Sequence, residues 1–121
     1  MRKALITGIT GQDGSYLAEF LFEKGYEIFG LIRRKAKLVY GNLDGLSVKN
    51  NIKFIFGDIT DMASMINTIK ISKPDEVYNL AAMSFVAQSF KEPVASANIT
   101  GISVLNILEA IRTIKPDAKM Y

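Results

Sequence analysis

The sequence predicts an α/β fold built on a doubly wound parallel sheet, and three observations carry that prediction. Short apolar runs alternate with helical stretches along the whole chain, the first run leads into a glycine-rich turn, and an amphipathic helix follows the turn. Strands separated by helices build βαβ units with right-handed crossovers, so the strands lie parallel. The implied strand order is 3-2-1-4-5, with a ligand crevice beside strand 1 where the order reverses and the sheet cut off at strand 5.

Taken in order, Ala4–Thr7 is an apolar run without alternation, as a strand buried on both faces requires. Ser15–Lys24 is the first helix, with Leu17, Phe20 and Leu21 on one side and Gly25 as its stop. Glu27–Ile32 is the second strand. Residues 33–51 are polar, carry Gly41, Gly45 and Asn50-Asn51, and hold at most one helical turn. Ile52–Phe56 is the third strand, closed by Gly57-Asp58. Asp61 is the N-cap of a helix over Asp61–Ile71 whose stripe is Met62, Met65, Ile66 and Ile69. Pro74 precedes a fourth strand at Glu76–Leu80, and Ala118–Tyr121 opens a fifth.

Between them a long helix covers about 94–114 and ends at Lys115-Pro116. One face carries Ala97, Gly101, Val104, Leu108 and Ile111, while Ile99, Ile102 and Ile107 lie elsewhere around it. Only Glu109 and Arg112 are charged between 97 and 113, so more than the sheet is expected to cover this helix: another part of the protein or a second subunit.

Composition narrows the chemistry. With 121 residues the chain makes one domain at most, large enough to bury roughly two-thirds of its unfolded surface. Its 49% apolar and 22% charged residues are ordinary for a globular protein, and there is no internal repeat. It has no cysteine and no histidine, which excludes disulfides, thiolate or His-ligated metal sites, thiol nucleophiles and Ser-His-Asp triads within these residues. Part of the net charge of +3 is one run, Arg33-Arg34-Lys35-x-Lys37. No aromatic residues interleave with it, so a nucleic-acid partner is not expected. No apolar stretch reaches a membrane span and the first residues read as a strand rather than a signal peptide, which makes the cytoplasm the expected location.

The glycines at 8, 11 and 14 point to a nucleotide. Gly8 permits a tight exit from strand 1, Gly11 lets the backbone approach a pyrophosphate, and Gly14 allows close helix–strand contact. The N–H groups that open the helix then face the phosphates. The spacing, Gly-x-x-Gly-x-x-Gly, is one residue wider than the usual Gly-x-Gly-x-x-Gly and marks a subclass of Rossmann-like folds. Asp13 is unfavourable beside a pyrophosphate, so its side chain is expected to turn away and serve the turn.

At the end of strand 2, an acidic residue would select NAD through the ribose 2′-hydroxyl. Arg33 and Arg34 stand there instead and can grip a 2′-phosphate. A charge-assisted contact of about 1.5–3 kcal/mol corresponds to roughly a 10- to 150-fold preference for NADP. The structural alternative is a solvated arginine pair. Asp58 and Ile59 close strand 3 where an adenine would lie, with a turn-capping Asp58 as the alternative. Asn79-Leu80-Ala81-Ala82-x-Ser84 closes strand 4. Its small residues let a flat ring lie on the backbone and Ser84 offers a hydroxyl to the crevice, or else the segment is a tight strand-to-loop packing site.

Thr7-Gly8-x-x-Gly11-x-x-Gly14, Gly57-Asp58-Ile59-x-Asp61 and Asn79-Leu80-Ala81-Ala82 resemble the extended short-chain dehydrogenase/reductases. The string Gly8-Ile9-Thr10-Gly11-Gln12-Asp13-Gly14-Ser15-Tyr16-Leu17, with Arg33-Arg34, Lys73–Ala82 and Leu108-Glu109-Ala110-Ile111-Arg112, is narrower and resembles the GDP-mannose 4,6-dehydratase family. The likeness spans nearly the whole chain. It implies a lyase of nucleotide-sugar metabolism that converts GDP-mannose to GDP-4-keto-6-deoxymannose, using a tightly held NADP that takes a hydride from C4 and returns it at C6.

The resemblance assigns Gly8, Thr10, Gly11, Gln12 and Asp13 to the pyrophosphate turn. It sets Arg33 and Arg34 at the 2′-phosphate, Asp58 and Ile59 at the adenine, and Leu80, Ala81, Ala82 and Ser84 along the inner half of the site, with Ser84 also near the sugar. A homo-oligomer is implied for the intact protein.

Three departures stand out. Met83 and Phe85 replace the Gln and His of many relatives, and the segment after Arg34 is shorter and lacks a Ser-rich loop. The family's catalytic Ser/Thr, Glu and Tyr-x-x-x-Lys lie beyond strand 5. Here Tyr16, Tyr26, Tyr40 and Tyr78 are followed four residues later by Phe20, Gly30, Asp44 and Ala82, so no catalytic residue is assigned and the 121 residues alone are expected to be inactive. The open alternatives are a nucleotide-sugar reductase or epimerase on the same fold, and a non-catalytic NADP-binding module.

Overall fold

The apolar run KALIT forms β1 (Lys3–Thr7), and its lack of polar alternation places it at the centre of a sheet. In the computed structural model, which describes residues 1–33, 40–81 and 101–121, Ala4, Leu5, Ile6 and Thr7 are each at most 1% exposed. Helix α1 (Gln12–Glu23) follows, then β2 (Glu27–Ile32), β3 (Ile52–Phe56), α2 (Met62–Ser72), β4 (Glu76–Asn79), α3 (Ser103–Ile114) and β5 (Lys119–Met120). The sheet is parallel, with the expected order β3-β2-β1-β4-β5.

Local chemistry sets the ends of these elements. The Asp61 carboxylate accepts the Ser64 N–H at 3.2 Å, capping α2 as expected, and Lys73 closes it in the left-handed region at φ 42°. Pro74 then directs the chain into β4. Residues 40–51 hold two 3₁₀ segments, Gly41–Leu43 and Ser47–Asn51, rather than a single turn. Leu43 and Val48 are the reason, since each 3₁₀ segment drives one of them into the core beneath it. Of the long helix expected over 94–114, the part before 101 lies outside the described residues.

Two cores flank the sheet. One joins Ala18 and Leu21 of α1, Leu43 and Val48 to Ala4, Ile6, Ile28, Ile32 and Ile52. The other joins Met65 and Ile69 of α2 and Ile107, Ala110 and Ile111 of α3 to Leu5, Phe29, Leu31, Ile55 and Val77. Helix α2 buries Met65 and Ile69 of its expected stripe, whereas the faces that α1 and α3 bury match theirs only at Leu21 and Ile111. In α1 the buried residues are Gly14, Ser15, Ala18 and Leu21, whereas Phe20 is 54% exposed beneath the Lys24 ammonium. In α3 they are Ser103, Ile107, Ala110 and Ile111, and Leu108 faces outward with Ile102 and Leu105. At the start of α1 the small residue is required, since a Cβ on Gly14 would meet the Gly8 and Ile9 backbone. Among the described residues no helix is long and apolar enough to cross a membrane.

Candidate nucleotide-binding site

The turn between β1 and α1 is held from several sides. Gly8 takes φ 69°, and a Cβ there would lie 2.6 Å from the Leu80 carbonyl carbon, so the turn sits back to back with the exit of β4. A Cβ on Gly14 would collide with the Gly8 carbonyl oxygen and reach 2.7 Å from the Ile9 Cα, so the third glycine serves the turn itself. The Gly11 N–H donates to the Gly8 carbonyl at 3.1 Å, and the Ser15 N–H to the Gly11 carbonyl at 3.0 Å. Ile9 is fully buried and packs against Gly30 of β2.

From Thr7 a second tie crosses to β4. Its buried hydroxyl donates to Asn79 Oδ1 at 2.6 Å and accepts the Ala81 N–H at 3.2 Å. The ends of β1 and β4 are thereby fixed together.

Two clefts open along this rim. The first, of about 500 Å³, is lined by Gly8, Thr10, Gly11, Gln12, Asp13, Gly14, Leu80 and Ala81. The second, of about 150 Å³, is lined by Gly8, Thr10, Leu31, Ile32, Arg33, Gly57, Ile59 and Ala81. Gly8, Thr10 and Ala81 belong to both, so the two clefts adjoin and together make a trough along the ends of β4, β1 and β2. Beyond it a further cleft is lined by Arg33, Phe56, Gly57, Asp58 and Ser64. Helix α1 begins at Gln12 with no side-chain cap on Gly11, and the N–H groups of Gln12 and Asp13 open it without an intrahelical acceptor.

The trough therefore brings together most of the residues picked out by sequence. Asp13 is exposed and lines it, and the side chain that serves the turn is Ser15, whose hydroxyl donates to the Gln12 carbonyl at 2.9 Å. Asp58 Oδ1 accepts from both the backbone N–H of Thr60 (2.9 Å) and its hydroxyl (2.7 Å), so this carboxylate caps a turn. Those two bonds hold its pKa below the ordinary carboxylate value, with a smaller contribution from the Arg33 guanidinium. Arg34, Ala82 and Ser84 lie outside the described residues. Sequence reasoning missed three supports: Ile9, the Thr7–Asn79 tie, and Asn106 of α3, whose Nδ2 donates to the Ile59 carbonyl at 3.1 Å. None carries a periodicity or charge signal.

The fold and the trough define a Rossmann-like domain of the kind that binds a dinucleotide at the switch point of a parallel sheet. More narrowly, the chain belongs to the GDP-mannose 4,6 dehydratase family, whose model matches residues 5–121. It is 45% identical over 116 residues to the GDP-mannose 4,6 dehydratase of Homo sapiens, covering 91% of this chain and 31% of that protein. With the enzyme of Yersinia enterocolitica it shares 46% over 117 residues, covering 93% and 32%. The chain thus spans about a third of the length of the curated relatives it matches. Among solved structures it resembles the UDP-glucose 4-epimerase of Thermotoga maritima, at 28% identity and TM-score 0.80, covering 93% of this chain and 35% of that one. The Thermus thermophilus UDP-glucose 4-epimerase in complex with NAD is similar at 26% identity and TM-score 0.79, covering 93% and 34%.

Proposed function

We propose that this chain is the NADP-binding part of a GDP-mannose 4,6-dehydratase. The observation that carries the reading is the pair of adjoining clefts that line the rim from the Gly8–Gly14 turn to Arg33, in a chain whose family is that of these dehydratases. The residues fit the cofactor: the side of Gly11 away from Gly8 is open, uncapped N–H groups start α1, and a guanidinium stands at the end of β2.

In this reading Gly8, Thr10, Gly11, Gln12 and Asp13 carry the diphosphate, and Arg33 with Arg34 binds the ribose 2′-phosphate. Ile59 and the Asp58 turn wall the adenine end, and Leu80, Ala81, Ala82 and Ser84 form the inner wall, with Ser84 near the sugar. The chemistry NADP supplies in the dehydration is reversible hydride transfer, out of the sugar C4 and back to C6. Residues 1–121 hold and orient the cofactor, and no Tyr among them has a Lys four residues on to move the proton. On its own this stretch is therefore inactive. GDP-mannose as substrate, a homo-oligomeric state and a cytoplasmic location belong to the same proposal.

Structural neighbours named as UDP-glucose 4-epimerases favour a second reading, a nucleotide-sugar epimerase. Product analysis of the intact protein with GDP-mannose separates the two: a 4-keto-6-deoxy product is expected, and a C4 epimer overturns the dehydratase. For the cofactor, NADP+ is expected to bind roughly 10- to 150-fold tighter than NAD+, and Arg33→Ala to remove most of that margin. Equal binding of the two by the unmodified protein overturns the arginine assignment.

A further inference from the structure

The first described residues beyond Arg33, from Tyr40 on, include a tie to the glycine turn. The Thr10 carbonyl oxygen accepts two hydrogen bonds from Asn42, one from its backbone N–H at 3.0 Å and one from Nδ2 at 3.3 Å. Gly41 stands against the same atom: at φ 55°, a Cβ there would lie 2.6 Å from the Thr10 oxygen. Both flanks of the tie are anchored. Leu43 is fully buried, and the Tyr40 ring packs on Phe54 of β3 with centroids 4.9 Å apart.

We propose that Asn42 is a positioning residue for the diphosphate, acting through the Thr10–Gly11 peptide. The proposal rests on the cofactor reading above. A peptide unit is planar, so two anchors fix its tilt. Here the oxygen end is held by Asn42 and the N–H end by the Gly8 carbonyl at 3.1 Å. The next N–H groups along the chain are those of Gln12 and Asp13, which open α1 toward the trough. Losing the Nδ2 bond leaves the Thr10 oxygen held by the Asn42 N–H alone, which loosens the tilt of this peptide and the aim of those donors.

Arg33 and Asn42 therefore act on different ends of the ligand, Arg33 on the 2′-phosphate and Asn42 on the diphosphate. These two roles have opposite signatures. Arg33 discriminates NADP+ from NAD+, whereas Asn42 supports both equally and is indifferent to a nucleotide that has no 5′-phosphate.

The test is calorimetric binding of NADP+, NAD+ and adenosine 2′-monophosphate to the intact protein and its Asn42→Ala, Asn42→Asp and Arg33→Ala variants. Asn42→Ala is expected to weaken both dinucleotides by the same factor, about fivefold, the loss of one neutral hydrogen bond. Asn42→Asp, which aims a carboxylate at the Thr10 oxygen, is expected to weaken both at least about tenfold. Adenosine 2′-monophosphate should bind all Asn42 variants as it binds the unmodified protein, and Asn42 is exposed, so thermal unfolding should stay close to unchanged. Unchanged dinucleotide affinity in Asn42→Asp, or an equal loss for adenosine 2′-monophosphate, overturns the proposal while leaving the cofactor reading intact. If the unmodified protein binds neither dinucleotide, the cofactor reading fails and the proposal with it.

Discussion

The two rims of the sheet use their polar groups in opposite ways. At the rim where the strands begin, side chains are spent on one another. The buried Glu76 carboxylate accepts the Tyr26 hydroxyl at 2.8 and 2.9 Å and the Tyr78 hydroxyl at 3.4 Å, and Arg2 donates to Tyr26 at 3.3 Å. Asp75 is tied to the Lys3 N–H and to Lys115, and Tyr78 stacks on Tyr121. At the rim where the strands end, the trough is walled largely by backbone and apolar side chains, with helix donors uncapped and Arg33 exposed. A rim whose polar side chains bond one another contributes stability; a rim whose backbone donors are left over is available to a ligand.

Substitutions can break that contrast, and the largest effect is expected at Gly8. Gly8→Ala adds left-handed strain and a clash with the Leu80 backbone, so chemical denaturation should show a loss of about 2–5 kcal/mol together with loss of dinucleotide binding. A variant as stable as the parent would mean that the two loops separate easily.

Next comes Tyr26→Phe at the opposite rim. It leaves the Glu76 carboxylate short of its best donor and should cost about 1–3 kcal/mol of stability with dinucleotide affinity unchanged. A change in affinity there would show that the rims are coupled.

The smallest effect concerns pH. Burial pushes the Tyr78 phenol up to about 12, helped by the negative charge of Glu76. The folded value is raised above the unfolded value of about 10, so the neutral phenol's contribution is complete below about pH 10 and is lost as pH climbs through about 12. Tyr78→Phe should flatten the fall in stability across that window, as read from unfolding curves at a series of alkaline pH values. A fall as steep as the parent's would assign the alkaline transition to other groups.

β1, β2 and β3 were legible as short apolar runs, β4 and β5 by their place after Pro74 and Pro116, and Asp61 announced its helix by its cap. The helix faces were harder to read. An apolar stripe records which side chains avoid water, but beside the glycine turn α1 runs so close that Gly14 has no room for a side chain. Gly14, Ser15 and Ala18 therefore point inward while Phe20 does not. Thr68 and Ser72 are hidden for a related reason: each hydroxyl bonds a carbonyl one turn back in α2, at 2.8 and 2.7 Å, and the residue then packs as a small apolar one. In the site, glycines and arginines advertise themselves by type. Supports such as Ile9, Asn42 and Asn106 do not, because their work depends on which backbone atom the fold sets opposite them.

The central place of β1 also governs the order in which this chain can be assembled during synthesis. Among the described residues the core beneath α1 draws its buried members from 4 to 52, so it can close as soon as β3 has emerged. The opposite core includes residues up to Ile111 and must wait for α3. At about 5–20 residues per second, that leaves several seconds in which one face of β1 is packed and the other is bare. During that interval Leu5, Phe29 and Leu31 are exposed to whatever surrounds the ribosome, and chaperone demand should be concentrated there.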